Sequence, residues 1–67
     1  MDEVTGIVDK YNGYTGKIKS NDLDYLLIDK NIMYNEIIKE SDEVSFIHEK
    51  ENNINIARFV KKRNKYN

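Results

Sequence analysis

The sequence contains no cysteine and no proline, and it has only three glycines and one histidine. Without cysteine, neither a disulfide bond nor a cysteine-based zinc site can stabilise the fold. The single histidine, His48, leaves little scope for a histidine-based metal site. We therefore expect no metal and no other cofactor. A length of 67 residues allows one domain with a small core and excludes a large substrate cleft.

Long apolar runs are also lacking. No stretch approaches the roughly 20 apolar residues of a membrane-spanning helix, and the acidic start MDEVTG differs from a signal peptide. These features predict a soluble, cytoplasmic protein that makes no membrane contact.

Charge is distributed unevenly along a chain whose net charge is −1. Residues 1–57 hold six Lys and twelve Asp or Glu, whereas residues 58–67 hold five basic residues and no acidic one. A basic segment after an acidic body is either an arm that contacts nucleic acid or a solvated tail that keeps the terminus soluble. Charge alone favours the solvated tail, and we expect residues 63–67 to be a disordered basic tail.

The apolar residues fall in five short runs that are typical of β-strands. Lys17-Ile18-Lys19 alternates polar and apolar residues, and turn-forming residues such as Ser20-Asn21-Asp22 separate the runs. With at most a short helical turn within 31–40, this spacing predicts an all-β fold in which five strands form a small closed or partly open barrel. The predicted strands are 3–11, 15–20, 24–29, 42–49 and 54–61.

The order of several short motifs resembles the cold-shock domain family. Gly6-Ile7-Val8-Asp9-Lys10-Tyr11-Asn12 is similar to that family's Gly-x-Val-Lys-Trp-Phe-Asn, and the segment from Ile38 to Phe46 is similar to Leu-Lys-Glu-Gly-Asp-x-Val-x-Phe. Ala57-Arg58-Phe59-Val60 is similar to the closing Ala-x-Asn-Val. The resemblance implies that residues 1–62 form a five-stranded antiparallel OB-fold barrel and that the core contains Val8, Ile18, Leu27, Val44 and Phe46.

The family's outer face of strands one to three carries aromatic residues on which unpaired bases stack. Most of these aromatics are replaced here. Lys10 stands at the tryptophan, Thr15 and Lys17 at two phenylalanines, and only Tyr11 keeps an aromatic at its place. The resemblance therefore implies a small protein that binds single-stranded RNA or DNA weakly and mainly through lysines. The candidate nucleic-acid-binding residues are Lys10, Tyr11, Lys17, Lys19, Lys30, Lys61, Lys62 and Arg63. The alternative is that Lys10, Lys17 and Lys19 are solvated and that Asp9, Asp24 and Asp29 cancel their field.

Leu26 and Ile28 point to a different function. The two-residue period of a strand places both on one face, with Leu27 and Tyr25 on the other. If Leu27 is in the core, two aliphatic side chains lie on the open face, which favours a protein partner or a homodimer. Alternatively, the segment 30–41 covers them. The second candidate function is thus an OB barrel that has lost nucleic-acid binding and serves as a protein interaction module. A third interpretation is an S1-like RNA-binding module, because Gly6-x-Val8 followed by Gly16 also resembles that OB-fold relative loosely.

No enzymatic activity is expected. His48, with Glu49 and Glu51 close by, is the one candidate for acid–base chemistry, but no nucleophile or second histidine accompanies it. The sequence also lacks a glycine-rich phosphate loop. We interpret His48 as a surface residue.

Overall fold

The structure is a computed structural model that describes residues 2–63. Its strands, in chain order, are β1 (Glu3–Tyr11), β2 (Thr15–Ser20), β3 (Leu23–Ile28), β4 (Glu43–Glu51) and β5 (Ile54–Lys62). Two short 3-10 turns, Asp29–Asn31 and Met33–Asn35, follow β3 and are the only helical segments in this part of the chain. The predicted all-β fold is confirmed, and each predicted strand agrees with an observed one to within two residues at either end.

The strands form a closed barrel in the order β1-β2-β3-β5-β4, which is an OB-like arrangement. Four neighbouring pairs are antiparallel, but β3 and β5 are parallel and pair through Leu26 and Ile56. The expectation of an entirely antiparallel barrel was therefore wrong in this one pairing. A closed ring with an odd number of strands cannot alternate in direction all the way round, so at least one neighbouring pair has to be parallel.

The core lies inside the barrel, where inward-facing side chains follow the two-residue period of the strands. All five core residues that the resemblance implied are 0–1% exposed: Val8, Ile18, Leu27, Val44 and Phe46. Tyr25 also points inward, and its ring centroid lies 4.8 Å from that of Phe46. Strand alternation thus separates the buried Tyr25 and Leu27 from the half-buried Leu26 and Ile28.

Asparagine and aspartate make the tight turns. Asn21 and Asp22, between β2 and β3, both have positive φ values, as do Asn52 and Asn53 between β4 and β5. Two-residue hairpin loops of type I′ need this conformation at both positions, and Asn and Asp adopt it at the lowest cost after glycine. The turn chemistry that the sequence predicted is therefore present where it was expected.

The segment between β3 and β4 packs against β1 and β5. The Ser41 N–H donates to the carbonyl oxygen of Val8 (2.8 Å), and Ile32 forms an isolated parallel bridge with Val60. Ile38 is buried in the core, and Ile32 packs against it. Ile38 is thus the buried apolar residue of this segment, whereas Tyr34 and Ile37 are more than 70% exposed. No helix among residues 2–63 has the length and apolarity that crossing a membrane requires.

Candidate nucleic-acid interface

The candidate interface is the outer surface of the first three strands, which we call the β1–β3 face. Lys10 of β1 lies opposite Lys17 of β2, and Lys17 in turn lies opposite Leu26 of β3. In the neighbouring row, Lys19 lies opposite Asp24. The structure therefore places the three predicted lysines on one face, in adjacent rows of the sheet.

A β-bulge brings Lys10 to this face. Gly6 and Val8 are buried, so an unbroken two-residue period would also send Lys10 into the core. The register of β1 against β2 instead shifts between Val8 and Lys10, and Lys10 is exposed. Because one extra residue in a strand reverses the direction of the side chains that follow it, Tyr11 then points towards the barrel interior.

Tyr11 is consequently half-buried and packs against the core. Its burial raises the pKa of the phenol above the usual value of 10, and the nearby Asp29 carboxylate raises that pKa further. Tyr25 is buried, so it contributes no ring to the outside either. None of the outward-facing residues within β1, β2 and β3 is aromatic.

Two carboxylates partly neutralise the lysines of the β1–β3 face. The Lys17 ammonium lies 3.7 Å from Asp9 and 3.9 Å from Asp24, and the Lys19 ammonium lies 3.3 Å from Asp24. Within residues 2–63, no carboxylate forms an ion pair with Lys10. Such exposed ion pairs contribute at most about 1 kcal/mol, so a phosphate group can compete for the paired lysines.

An open cleft of about 460 Å³ lies beside the lysine pair. Its lining combines two ammonium groups with a phenol, a hydroxyl and a side-chain amide, and it includes one carboxylate. The residues are Lys10, Tyr11, Asn12, Thr15, Gly16, Lys17 and Glu40. Most of the lining surface is apolar, and the two lysines supply the donors that a phosphate requires.

A second, apolar groove of about 230 Å³ borders the same face at Leu26. We call it the Leu26–Ile54 groove. Leu26 is half-buried in its wall, and Ile54, at the start of β5, is 51% exposed. The remaining lining residues are Gly16, Lys17, Asp24, Tyr25 and Asn55. The aliphatic pair singled out in the sequence therefore has one member, Leu26, in the wall of an open groove, and Ile28 is also half-buried.

The other predicted basic residues lie away from the lysine pair. Lys61 pairs with Glu3 (3.5 Å), Lys62 with Asp42 (3.7 Å) and Arg63 with Glu43 (3.1 Å). The Arg63 N–H also donates to the carbonyl oxygen of Glu43 (3.0 Å). These three cations thus bind to acidic residues near β4 and β1.

Lys30 is exposed in the first 3-10 turn. Of the predicted tail, residues 64–67 lie outside the described residues.

His48 is exposed on β4. Its Nε2 atom lies 3.1 Å from Oδ1 of Asn55, and its ring meets the Tyr25 ring edge-on at 5.3 Å. No group of three or more His, Cys, Asp or Glu side chains within residues 2–63 could hold a metal ion.

Sequence reasoning missed two residues with unusual positions. Ile54 was assigned only to a strand, although it lines the Leu26–Ile54 groove. Phe59 was likewise treated as an ordinary strand residue, but it is 57% exposed and has a φ of 52°. A signal for Phe59 was present, because the similar cold-shock motif has asparagine there, a residue that tolerates positive φ.

No protein-family model matches this chain, and no curated protein matches it either.

Proposed function

We propose that this chain is a divergent cold-shock-like OB barrel that binds single-stranded RNA or DNA weakly, mainly through lysines. The observation that carries the proposal is the direct opposition of Lys10 and Lys17 across β1 and β2. Like charges that face each other across a strand pair destabilise a sheet. A phosphate bound between the two ammonium groups offsets that repulsion, so the pair of lysines is suited to binding a phosphate.

The proposed binding mode follows from the composition of the face. Lys10, which has no ion-pair partner among residues 2–63, attracts the phosphate backbone of the nucleic acid first. Lys17 then replaces its ion pairs with Asp9 and Asp24 by a contact with a phosphate. Leu26 and Ile28 offer apolar contact to a base but no aromatic stacking. Binding is therefore insensitive to sequence and sensitive to salt, because phosphate contacts carry no direct sequence information.

In this proposal the protein is a non-enzymatic, cytoplasmic binding protein. Lys19, in the neighbouring row of the β1–β3 face, and Lys30, in the first 3-10 turn, add further positive charge. Lys61, Lys62 and Arg63 contribute at longer range, because each is already bound to a carboxylate.

The test is an NMR titration of the labelled protein with short oligo-U and oligo-dT at low salt. We expect the largest shifts at Lys10, Tyr11 and Lys17, and we expect Lys10→Gln to weaken binding. Lys50→Gln is the matched control, because Lys50 is an exposed lysine on β4. Absence of shifts at millimolar protein, or equal effects of the two substitutions, contradicts the proposal.

A second candidate function, protein interaction, is favoured by the Leu26–Ile54 groove. Apolar surface that lines an open groove is a typical feature of protein contact sites. If the titration detects no nucleic-acid binding, this function becomes the better account of the face.

A further inference from the structure

Phe59 combines a strained backbone with an exposed aromatic ring. Between Ser45 and Ile47 of β4 the register against β5 shifts, so that Phe59 and Val60 both lie opposite a single residue, Phe46. At this bulge Phe59 adopts a φ of 52°. A bulky residue at positive φ is a genuine outlier, and the position is one that glycine ordinarily takes.

The strain at Phe59 has no evident benefit within the monomer. Phe59 is 57% exposed, so more than half of its surface is left in contact with solvent. Among the eight non-glycine residues within 2–63 that have positive φ, five are Asn or Asp, which tolerate it better, and a sixth is the small Ser41. The exceptions are Phe59 and Tyr34, which is 72% exposed. Strained and exposed residues of this kind point towards a function outside the monomer.

The charges near Phe59 in the sequence favour a protein partner over a polyanion. Arg58 forms ion pairs with Glu49 and Glu51, and Lys61 forms one with Glu3. Within residues 2–63, the basic residues close to Phe59 in the sequence are thus already paired with carboxylates. An exposed aromatic residue whose basic sequence neighbours are paired is more typical of a protein contact than of a phosphate site.

The same chain also offers a site that fits an aromatic ring. The Leu26–Ile54 groove measures about 230 Å³, and its walls are almost entirely apolar. An apolar cavity of roughly 150 Å³ is enough to hold a benzene molecule. The net charge of the chain is only −1, so two copies repel each other little.

We propose that Phe59 of one copy inserts into the Leu26–Ile54 groove of a second copy. The two surfaces are different, so the contact is head-to-tail. A contact centred on one aromatic residue buries a small area, and self-association is accordingly weak, with a Kd of roughly 0.1–1 mM. This inference is independent of the proposed nucleic-acid binding.

The test measures sedimentation equilibrium over a range of concentrations for the full chain and two single variants. Phe59→Asn removes the inserted ring, and Ile54→Lys places a charge in the groove at a side chain exposed enough for the fold to survive. Each variant alone should weaken association at least about tenfold. Because each variant retains the surface that the other lacks, their mixture should form a 1:1 dimer of twice 7.9 kDa and nothing larger.

Tyr34→Asn is the matched control. Both asparagine substitutions replace an exposed aromatic at positive φ, so both should raise the Tm, by about 4–8 °C for each. Only Phe59→Asn should reduce association. If Phe59→Asn raises the Tm and also reduces association, the variant is folded, and the reduced association is due to the missing ring.

Three results would overturn the proposal. They are a wild-type chain that stays monomeric at 1 mM, a Phe59→Asn variant that associates like wild type, and a mixture of the two variants that stays monomeric. A monomeric wild-type chain whose Phe59 resonances shift on addition of oligo-U would overturn it in favour of a base as the occupant.

Discussion

The Asp24 carboxylate lies between two lysines of the β1–β3 face, 3.9 Å from Lys17 and 3.3 Å from Lys19. If the lysines bind phosphates, Asp24 competes with the nucleic acid for them. Asp24→Asn should therefore strengthen binding, although it removes two ion pairs from the sheet. The fold should hardly change, because exposed ion pairs of this type contribute at most about 1 kcal/mol.

The magnitude follows from the number of lysines free to bind phosphate. For single strands, the slope of log K against log salt is about −0.7 per phosphate contacted. If Lys10, the one lysine of the β1–β3 face without an ion pair among residues 2–63, makes the only phosphate contact, affinity falls about 2.6-fold between 50 and 200 mM salt. Asp24→Asn releases Lys19 fully and Lys17 in part, because Asp9 still lies 3.7 Å from Lys17. With two or three contacts the loss over the same range becomes about 7- to 18-fold.

The assay is fluorescence anisotropy with a labelled oligo-U at four or more salt concentrations. Glu51→Gln is the matched control, because it removes one negative charge on β4, away from the β1–β3 face. An increase in slope for Asp24→Asn but not for the control supports local competition. Equal effects of the two substitutions would mean that net charge alone controls binding, and an unchanged slope would refute the lysine mechanism.

Three further predictions concern stability. Phe46→Ala should cost about 3–5 kcal/mol, which rivals the roughly 3–10 kcal/mol total expected for 67 residues, so circular dichroism should detect substantial unfolding; a shift below 1 kcal/mol would contradict the assigned core. Gly16→Ala should cost at least about 2 kcal/mol in urea unfolding, because its Cβ would lie 2.0 Å from the Lys10 carbonyl oxygen, and Gly13→Ala, which meets no atom within 4 Å but has a φ of 97°, should cost less. The raised pKa of Tyr11 favours the neutral phenol in the folded state, so stability should be complete below pH 10 and decline as pH rises above it. Tyr11→Phe should reduce that decline, and identical pH profiles of the two proteins would show that Tyr11 does not cause it.

The strands and turns could be predicted because they depend on local features. Alternation around Ile18 and the apolar run at Leu27 identify strands whatever their partners are, and Asn21-Asp22 identifies a turn. The parallel pairing of β3 and β5 does not depend on local features. It follows from the closure of five strands into a ring, and the strand spacing did not distinguish a closed barrel from a partly open one.

The candidate site was harder to predict at the bulge in β1. This bulge, at Asp9, cannot be recognised from the polarity pattern, because Asp9 and Lys10 are both polar and either could face outward. It nevertheless decides that Lys10 is exposed and Tyr11 half-buried. The ion pairs of Lys61 and Arg63 depend on Glu3 and Glu43, which are distant in sequence, and no local pattern identifies such partners.

Lys17 connects the two proposals, because it lines both the cleft beside Lys10 and the Leu26–Ile54 groove. Gly16 also lines both, so the two sites share a wall on β2. A phenyl ring from a second copy in the groove restricts the Lys17 side chain, and a phosphate held by Lys17 crowds the groove entrance. The two ligands therefore compete, and by mass action each lowers the apparent affinity of the other. With a self-association constant near 0.1–1 mM, the monomer dominates at low micromolar concentration, and under those conditions the lysines of the β1–β3 face are open to a single strand.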